Sequence, residues 1–204
     1  MNWLAHVFLS EQHIDFQMGN YLADPLKGKV WDEASENMKR GMEVHKIIDS
    51  FTDSHILYIK SKNTLASTGL LRSVVMDITY DYFLTKNWDN FSQIPHQKFS
   101  EIFYIEAKEQ LKTLPELPAQ KVHHFIQRDI LNKYKSIDDL RMAFKRFDKR
   151  LSVRLMQRDT ASKYLESVSK NSEELEKYFL DFFPQLCEEV KKNVDINKIR
   201  HWKI

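Results

Sequence analysis

Residues 41–55, GMEVHKIIDSFTDSH, combine the side-chain types and the spacing that metal and acid–base chemistry require. On a helix turning ~100° per residue, His45, Asp49 and Asp53 step by four and share one side, with Thr52 beside them. Val44, Ile47, Ile48, Phe51 and Tyr58 form the adjoining apolar face, so this polar ridge belongs at the margin of a core, and His55 falls inside the apolar face. An imidazole and a carboxylate one turn apart offer a nitrogen and an oxygen to one cation. The same spacing also suits a surface His–Asp hydrogen bond, and His55 alone reads as a satisfied core histidine.

A second constellation lies in LLRSVVMDITYDYFLTKNW, residues 70–88, where apolar side chains occur nearly all round the helix, the pattern of a buried element. Asp77 and Asp81 sit within it, one turn apart. An ionised carboxylate buried without a partner costs several kcal/mol, so these two need a cation, a dense set of hydrogen bonds or a metal ion. Arg72 points elsewhere on the wheel. Nearer the start, His6 precedes GNYLADPLKGK, which supplies Asn20, Asp24 and Lys27 between Gly19 and Gly28. With four glycines in the chain, two in this short stretch imply close backbone approach or a tight turn. Lys27 suits a phosphate or equally a solvated loop.

The elements that must position these groups are helices. Glycine and proline are scarce, at four and five, and no alternating run of β-branched residues bounded by turns occurs. Helices are predicted at about residues 37–60, 71–88, 97–113 and 120–135. From Leu140 the positions Phe144, Phe147, Leu151 and Leu155 continue one helical face, with Ser136 as its cap. Leu175, Phe179, Phe182, Leu186 and Val190 repeat the pattern, with Pro184 a candidate kink. At 204 residues the chain fits one helical domain spanning 1–204 and buries roughly 70% of its unfolded surface. One cysteine, Cys187, excludes an internal disulfide framework and reads as core. No secretory leader is visible and no apolar run approaches the ~20 residues of a membrane span, so a cytoplasmic location and no membrane partner are expected. A net charge of +2 argues against a dedicated nucleic-acid binder. Phosphate-loop, dinucleotide, nucleophile-elbow and C-x-x-C motifs are all missing.

MNWLAH, GNYLADPLKG, GMEVHKIIDSFTDSH and DITYDYFLTKNW, in this order, resemble the motifs of the acyl carrier protein phosphodiesterases, M-N-[FY]-L-A-H, G-N-x-x-A-D, H-R-x-I-D-x-x-T-D and D-H-F-L. The motifs lie in about the first ninety residues, and the helical remainder completes the domain. The resemblance implies an all-α, single-domain helical bundle like the HD phosphohydrolases. It implies Mn2+ and hydrolysis of the phosphodiester joining 4′-phosphopantetheine to a serine of holo acyl carrier protein. It carries over His6, Asn20, Asp24, His45, Asp49, Thr52, Asp53 and Asp77, with Asp81 matching the Asp of D-H-F-L. The metal set expected from these is His6, Asp24, His45, Asp49, Asp77 and Asp81. Asn20, Lys27, Thr52, Asp53 and His55 are expected to act in catalysis, Lys27 or Lys46 on phosphate charge and Asp53 or His55 on protons.

Lys46 and Tyr82 depart from the family's Arg and His, and an adjacent His-Asp pair is missing. Residues 119–158 are strongly basic, and Arg146, Arg150, Arg154 and Arg158 recur every fourth residue. On one helix they form a stripe for an acidic carrier protein. The alternatives are a helical metallophosphohydrolase of nucleotides or other small phosphodiesters, which has no need of that stripe, and a non-catalytic carrier-binding module.

Overall fold

Two glycines set the closest helix pairing in the molecule. In the computed structural model, which describes residues 1–204, α1 (Trp3–Phe8) leads to α2 (Ile14–Leu22), and α2 lies across α3 (Glu36–Ser54). A Cβ on Gly19 would stand 2.2 Å from the Met38 carbonyl oxygen, and one on Gly41 would stand 2.1 Å from that of Phe16. Only glycine lets these backbones touch.

The remaining helices are α4 (Ile56–Leu65), α5 (Arg72–Lys86), α6 (Trp88–Phe91), α7 (His96–Gln110), α8 (Glu116–Gln127), α9 (Ile137–Asp148), α10 (Val153–Met156), α11 (Leu165–Lys170) and α12 (Ser172–Lys191). The architecture is all-α, as the composition implies. α5 packs against α1, α4, α9 and α12. One contiguous core, rich in the phenylalanines of α7, α9 and α12, runs beneath them all. At the other end of the chain, Trp202 Nε1 donates to the Phe8 carbonyl at 2.9 Å, tying the C-terminal segment beneath α1. α12 runs uninterrupted through Pro184, and Cys187 is buried in the core. No helix is long and apolar enough to cross a membrane.

Three predicted helices are divided, among them 120–135, where α8 ends at Gln127, Asp129 turns left-handed with φ 48°, and a separate 3-10 turn, Ile130–Asn132, follows. The 37–60 stretch breaks at His55, whose extended backbone ends α3 and whose Nδ1 accepts Leu57 N–H at 3.3 Å to cap α4. The face from Leu140 to Leu155 breaks after Asp148. That carboxylate accepts Ala161 N–H and Ser162 N–H, and Ser152 caps the separate turn α10. The four arginines therefore do not share a helix: Arg146 is on α9, Arg150 in the turn, Arg154 on α10 and Arg158 beyond it.

Candidate metal centre and its cavity

α1, α2 and α3 bring His6, Asn20, His45 and Asp49 together. α1 is only six residues long and needs its free N–H groups satisfied. Asp81 of α5 does this from below, accepting Leu4 N–H at 2.9 Å and Ala5 N–H at 3.1 Å. Burial pushes its carboxyl up to about 7 against the pull of those two donors. Asp81, expected as a metal ligand, accepts one hydrogen bond at each oxygen from the start of α1 and lies outside the cluster of His6, His45 and Asp49. That anchoring leaves His6 fully buried one helical step further on.

A chain of hydrogen bonds then fixes the protons of both imidazoles. Ser10 Oγ donates to the His6 carbonyl at 2.8 Å, so it accepts from Asn20 Nδ2 at 3.0 Å. Asn20 Oδ1 is thereby an acceptor, and His6 Nδ1, 2.8 Å away, must carry the proton. Asn20 also uses its peptide carbonyl, which accepts from His45 Nδ1 at 2.8 Å. The touching backbones at Gly19 and Gly41 bring that carbonyl to the imidazole. The rings stack with centroids 4.0 Å apart, and both Nε2 atoms face Asp49.

His6 Nε2 lies 3.2 Å from Asp49 Oδ1, buried, with no hydrogen bond. With its proton on Nδ1, His6 presents a bare lone pair to a carboxylate oxygen, an arrangement that calls for a cation between them. His45 Nε2 lies 3.1 Å from Asp49 Oδ2 and 3.5 Å from Asp24 Oδ1. One ligand atom from each of His6, His45 and Asp49 falls within 4.8 Å of the other two. Nitrogen and oxygen donors so close fit a divalent transition ion with bonds of ~2.1 Å after small side-chain shifts.

The electrostatics agree. Burial and the neighbouring His45 charge lower the pKa of His6. Burial also opposes charge on His45, yet Asp24 and Asp49 outweigh it and raise its pKa to about 9. Burial would raise Asp49, but its hydrogen bond with His45 and the Met1 ammonium hold it well below the usual carboxylate range. The Met1 amine lies 3.4 Å from Asp49 Oδ1 and 3.2 Å from Asp77 Oδ1. Asp77 Oδ1 also accepts Tyr58 O–H at 2.6 Å. Asp24 is lowered chiefly by its hydrogen bond with His45.

The other expected residues are placed elsewhere. Thr52 is buried with its hydroxyl unpaired, and Asp53 is exposed. His55 caps α4, touches Phe51 and Phe182 and lies 3.3 Å from Gln185 Oε1, so it is engaged at the α3–α4 junction rather than at the histidine pair. Lys27 is exposed, has a positive φ of 53° and lines a separate groove with Pro25 and Trp31. Lys46 pairs with Glu43 on the surface, and Tyr82 is buried beside Phe83.

A cavity of about 580 Å³ opens beside the centre, with Asp24 and Asp77 in its wall. Trp3, Val74, Ile78, Ile130 and Phe147 give it apolar surface. Arg128, Lys133, Arg146, Lys149 and Arg150 surround it, and all the Lys and Arg ion pairs of the chain involve other residues. Arg154 and Arg158 are not in its lining. Sequence reasoning missed Ser10, whose only signal is a small polar residue closing an apolar run. It also missed Tyr58, which it had read as part of the apolar face.

A family model described as acyl carrier protein phosphodiesterase matches residues 1–186. The chain is 31% identical over 90 residues to the acyl carrier protein phosphodiesterase of Photorhabdus laumondii, covering 44% of this chain and 46% of that relative. Against the Yersinia pestis protein of the same name it is 29% identical over 122 residues, covering 59% and 62%. In these two alignments the chain spans less than two thirds of the relative's length. The Escherichia coli protein of that name is 23% identical over 198 residues, covering 94% of this chain and 98% of its own. No solved structure matches the chain.

Proposed function

The chain belongs to the acyl carrier protein phosphodiesterase family. From that premise we propose that it hydrolyses the phosphodiester joining 4′-phosphopantetheine to a serine of holo acyl carrier protein, with Mn2+ held by His6, His45 and Asp49. The observation that carries the metal is His6 Nε2, buried without a hydrogen-bond partner 3.2 Å from Asp49 Oδ1 while Nδ1 meets the Asn20 amide oxygen. Asp24, 3.5 Å from His45 Nε2, and Asp77, linked to Asp49 through the Met1 amine, add negative charge around the site. A divalent cation there supplies Lewis-acid polarisation of a phosphoryl oxygen and a bound water of lowered pKa.

The protein's own groups do the rest. Asn20 and Ser10 hold the imidazoles with their Nδ1 protons turned away, leaving Nε2 of each for the cation. Asp24 is the least committed carboxylate, with its side chain 61% exposed and in the cavity wall. His45 keeps it ionised, so it is suited to accept the proton of an attacking water. The cationic rim faces the phosphodiester and whatever is attached to it. Five unpaired cations exceed what a singly charged diester needs, which favours an acidic protein substrate over a nucleotide or other small diester.

The test is to incubate the purified protein with Mn2+ and holo carrier protein and follow the carrier by mass spectrometry. Loss of the phosphopantetheine mass, abolished by excess chelator and by Asp49→Asn, is the expected result. An intact holo carrier in the presence of Mn2+ would refute the proposal.

A further inference from the structure

Asn2 occupies the N-cap position of α1, where an asparagine side chain ordinarily accepts a helix N–H. Here it makes no cap bond, because Asp81 has already taken the Leu4 and Ala5 N–H groups. The Asn2 amide is turned instead toward Tyr134, with Nδ2 3.2 Å from the phenol oxygen, across 132 residues of sequence. Both residues line the cavity beside the metal centre.

This pair has unused hydrogen-bonding capacity of a particular kind. When Nδ2 donates to the phenol oxygen, Asn2 Oδ1 is left to accept and the Tyr134 O–H is left to donate. If the amide is turned over, the phenol donates to Oδ1, leaving Nδ2 to donate and the phenol oxygen to accept. At least one donor and one acceptor are left over in either case, on two residues of the cavity wall. Tyr134 is 5% exposed, and burial, with the Asp81 charge, raises its pKa to about 12, so its proton is held. Apolar Trp3 and Ile130 lie in the same cavity wall.

We propose that Asn2 and Tyr134 form an amide-reading pair that binds the N–H and C=O of an amide in the substrate's arm. The inference rests on the reading above, because the pantetheine arm is a chain with amides and little charge beyond its phosphate. Asn2 is joined directly to Met1, whose amine touches Asp49 and Asp77. Asn2 and Tyr134 share their cavity wall with Asp24 and Asp77, so an arm leaving a phosphorus at the centre runs along the wall that carries the pair. The unpaired cations of the rim then face the carrier protein rather than the arm.

The experiment compares wild type, Tyr134→Phe and Asn2→Ala on two substrates with Mn2+: holo carrier protein, and bis(p-nitrophenyl) phosphate, which has no amide. Each variant should lower the ratio of kcat/KM for carrier to kcat/KM for the nitrophenyl ester by about three- to tenfold, the value of one or two neutral hydrogen bonds. A ratio unchanged from wild type overturns the proposal, and because it is a ratio, a general folding loss cannot imitate the effect. A wild type that leaves holo carrier intact refutes the phosphodiesterase reading instead. The pair is then judged by calorimetry with pantetheine itself, which has the amides but no phosphate. Binding weakened about three- to tenfold by Tyr134→Phe supports it, and equal or absent binding overturns it.

Discussion

Asn20→Ala separates the two halves of the proposed metal centre. The substitution removes Oδ1 and Nδ2 but keeps the peptide carbonyl that holds His45, so the damage falls on His6. The two bonds lost, at 2.8 Å to His6 Nδ1 and 3.0 Å to Ser10 Oγ, are both buried. A buried donor left without a partner costs ~1–3 kcal/mol. In a domain of this size each kcal/mol is ~2–4 °C of Tm, so the metal-free variant should melt ~2–12 °C below wild type. With His6 free to turn or to change tautomer, Mn2+ affinity should fall ~10–100-fold. Calorimetric titration with Mn2+ and thermal melts in chelator measure the two effects separately. Ser10→Ala removes only the anchor that orients the Asn20 amide, and should fall between wild type and Asn20→Ala in both. A Mn2+ isotherm for Asn20→Ala that overlays the wild-type curve would refute the argument that the amide sets the ligand tautomer.

Charge reversal at Arg146 and Arg150 together should raise KM for holo carrier at least ~10-fold and weaken its salt dependence, whereas reversal at Arg154 and Arg158 should change it little; steady-state kinetics at two ionic strengths decides. The His45 pKa is raised from 6.5 to about 9 in the metal-free fold, so its contribution to stability is full below pH 6.5 and is lost as pH rises through about 9. Urea titrations should show that slope in wild type and not in His45→Gln. Because Mn2+ displaces the same proton, its apparent affinity should climb with pH up to about 9, read by titrations in buffers of different ionisation enthalpy. Asp81→Ala leaves the first N–H groups of α1 unpaired and should lower both Tm and Mn2+ affinity, although it removes no ligand. Gly41→Ala puts a Cβ 2.1 Å from the Phe16 carbonyl oxygen and should destabilise the protein by ~1–3 kcal/mol or more, measured by urea unfolding.

The ridge of His45 and Asp49 is legible in the sequence because both are on one helix, and a spacing of four survives any tertiary arrangement. The close approach at Gly19 is legible too, since glycine there has a steric reason. Asp77 and Asp81 look alike in sequence and differ in the fold. Both are on α5, but only Asp81 accepts the N–H groups of α1, and no local pattern reveals what stands over a side chain. The same limit hides the roles of Asn2 and Tyr134, joined across 132 residues, and of Ser10, which meets Asn20 of α2 from the bend after α1. The arginine stripe misleads for a related reason. Period-four spacing continues past Asp148, but the helix does not, because that carboxylate binds the backbone of Ala161 and Ser162. His55 likewise fits the apolar period while its ring serves as a cap.

The cavity wall carries Asp24 and Asp77 together with five unpaired cations, and under the proposed function this mixture of signs couples its two ligands. A polyanion drawn to the rim meets repulsion from Asp24, Asp49 and Asp77 until that charge is neutralised, so cation occupancy raises anion affinity. Thermodynamic reciprocity then obliges the anion to tighten cation binding by an identical factor. Free carrier concentration would thus help to set how much of the protein is metallated, and scarcity of either ligand would be felt as weak affinity for the other.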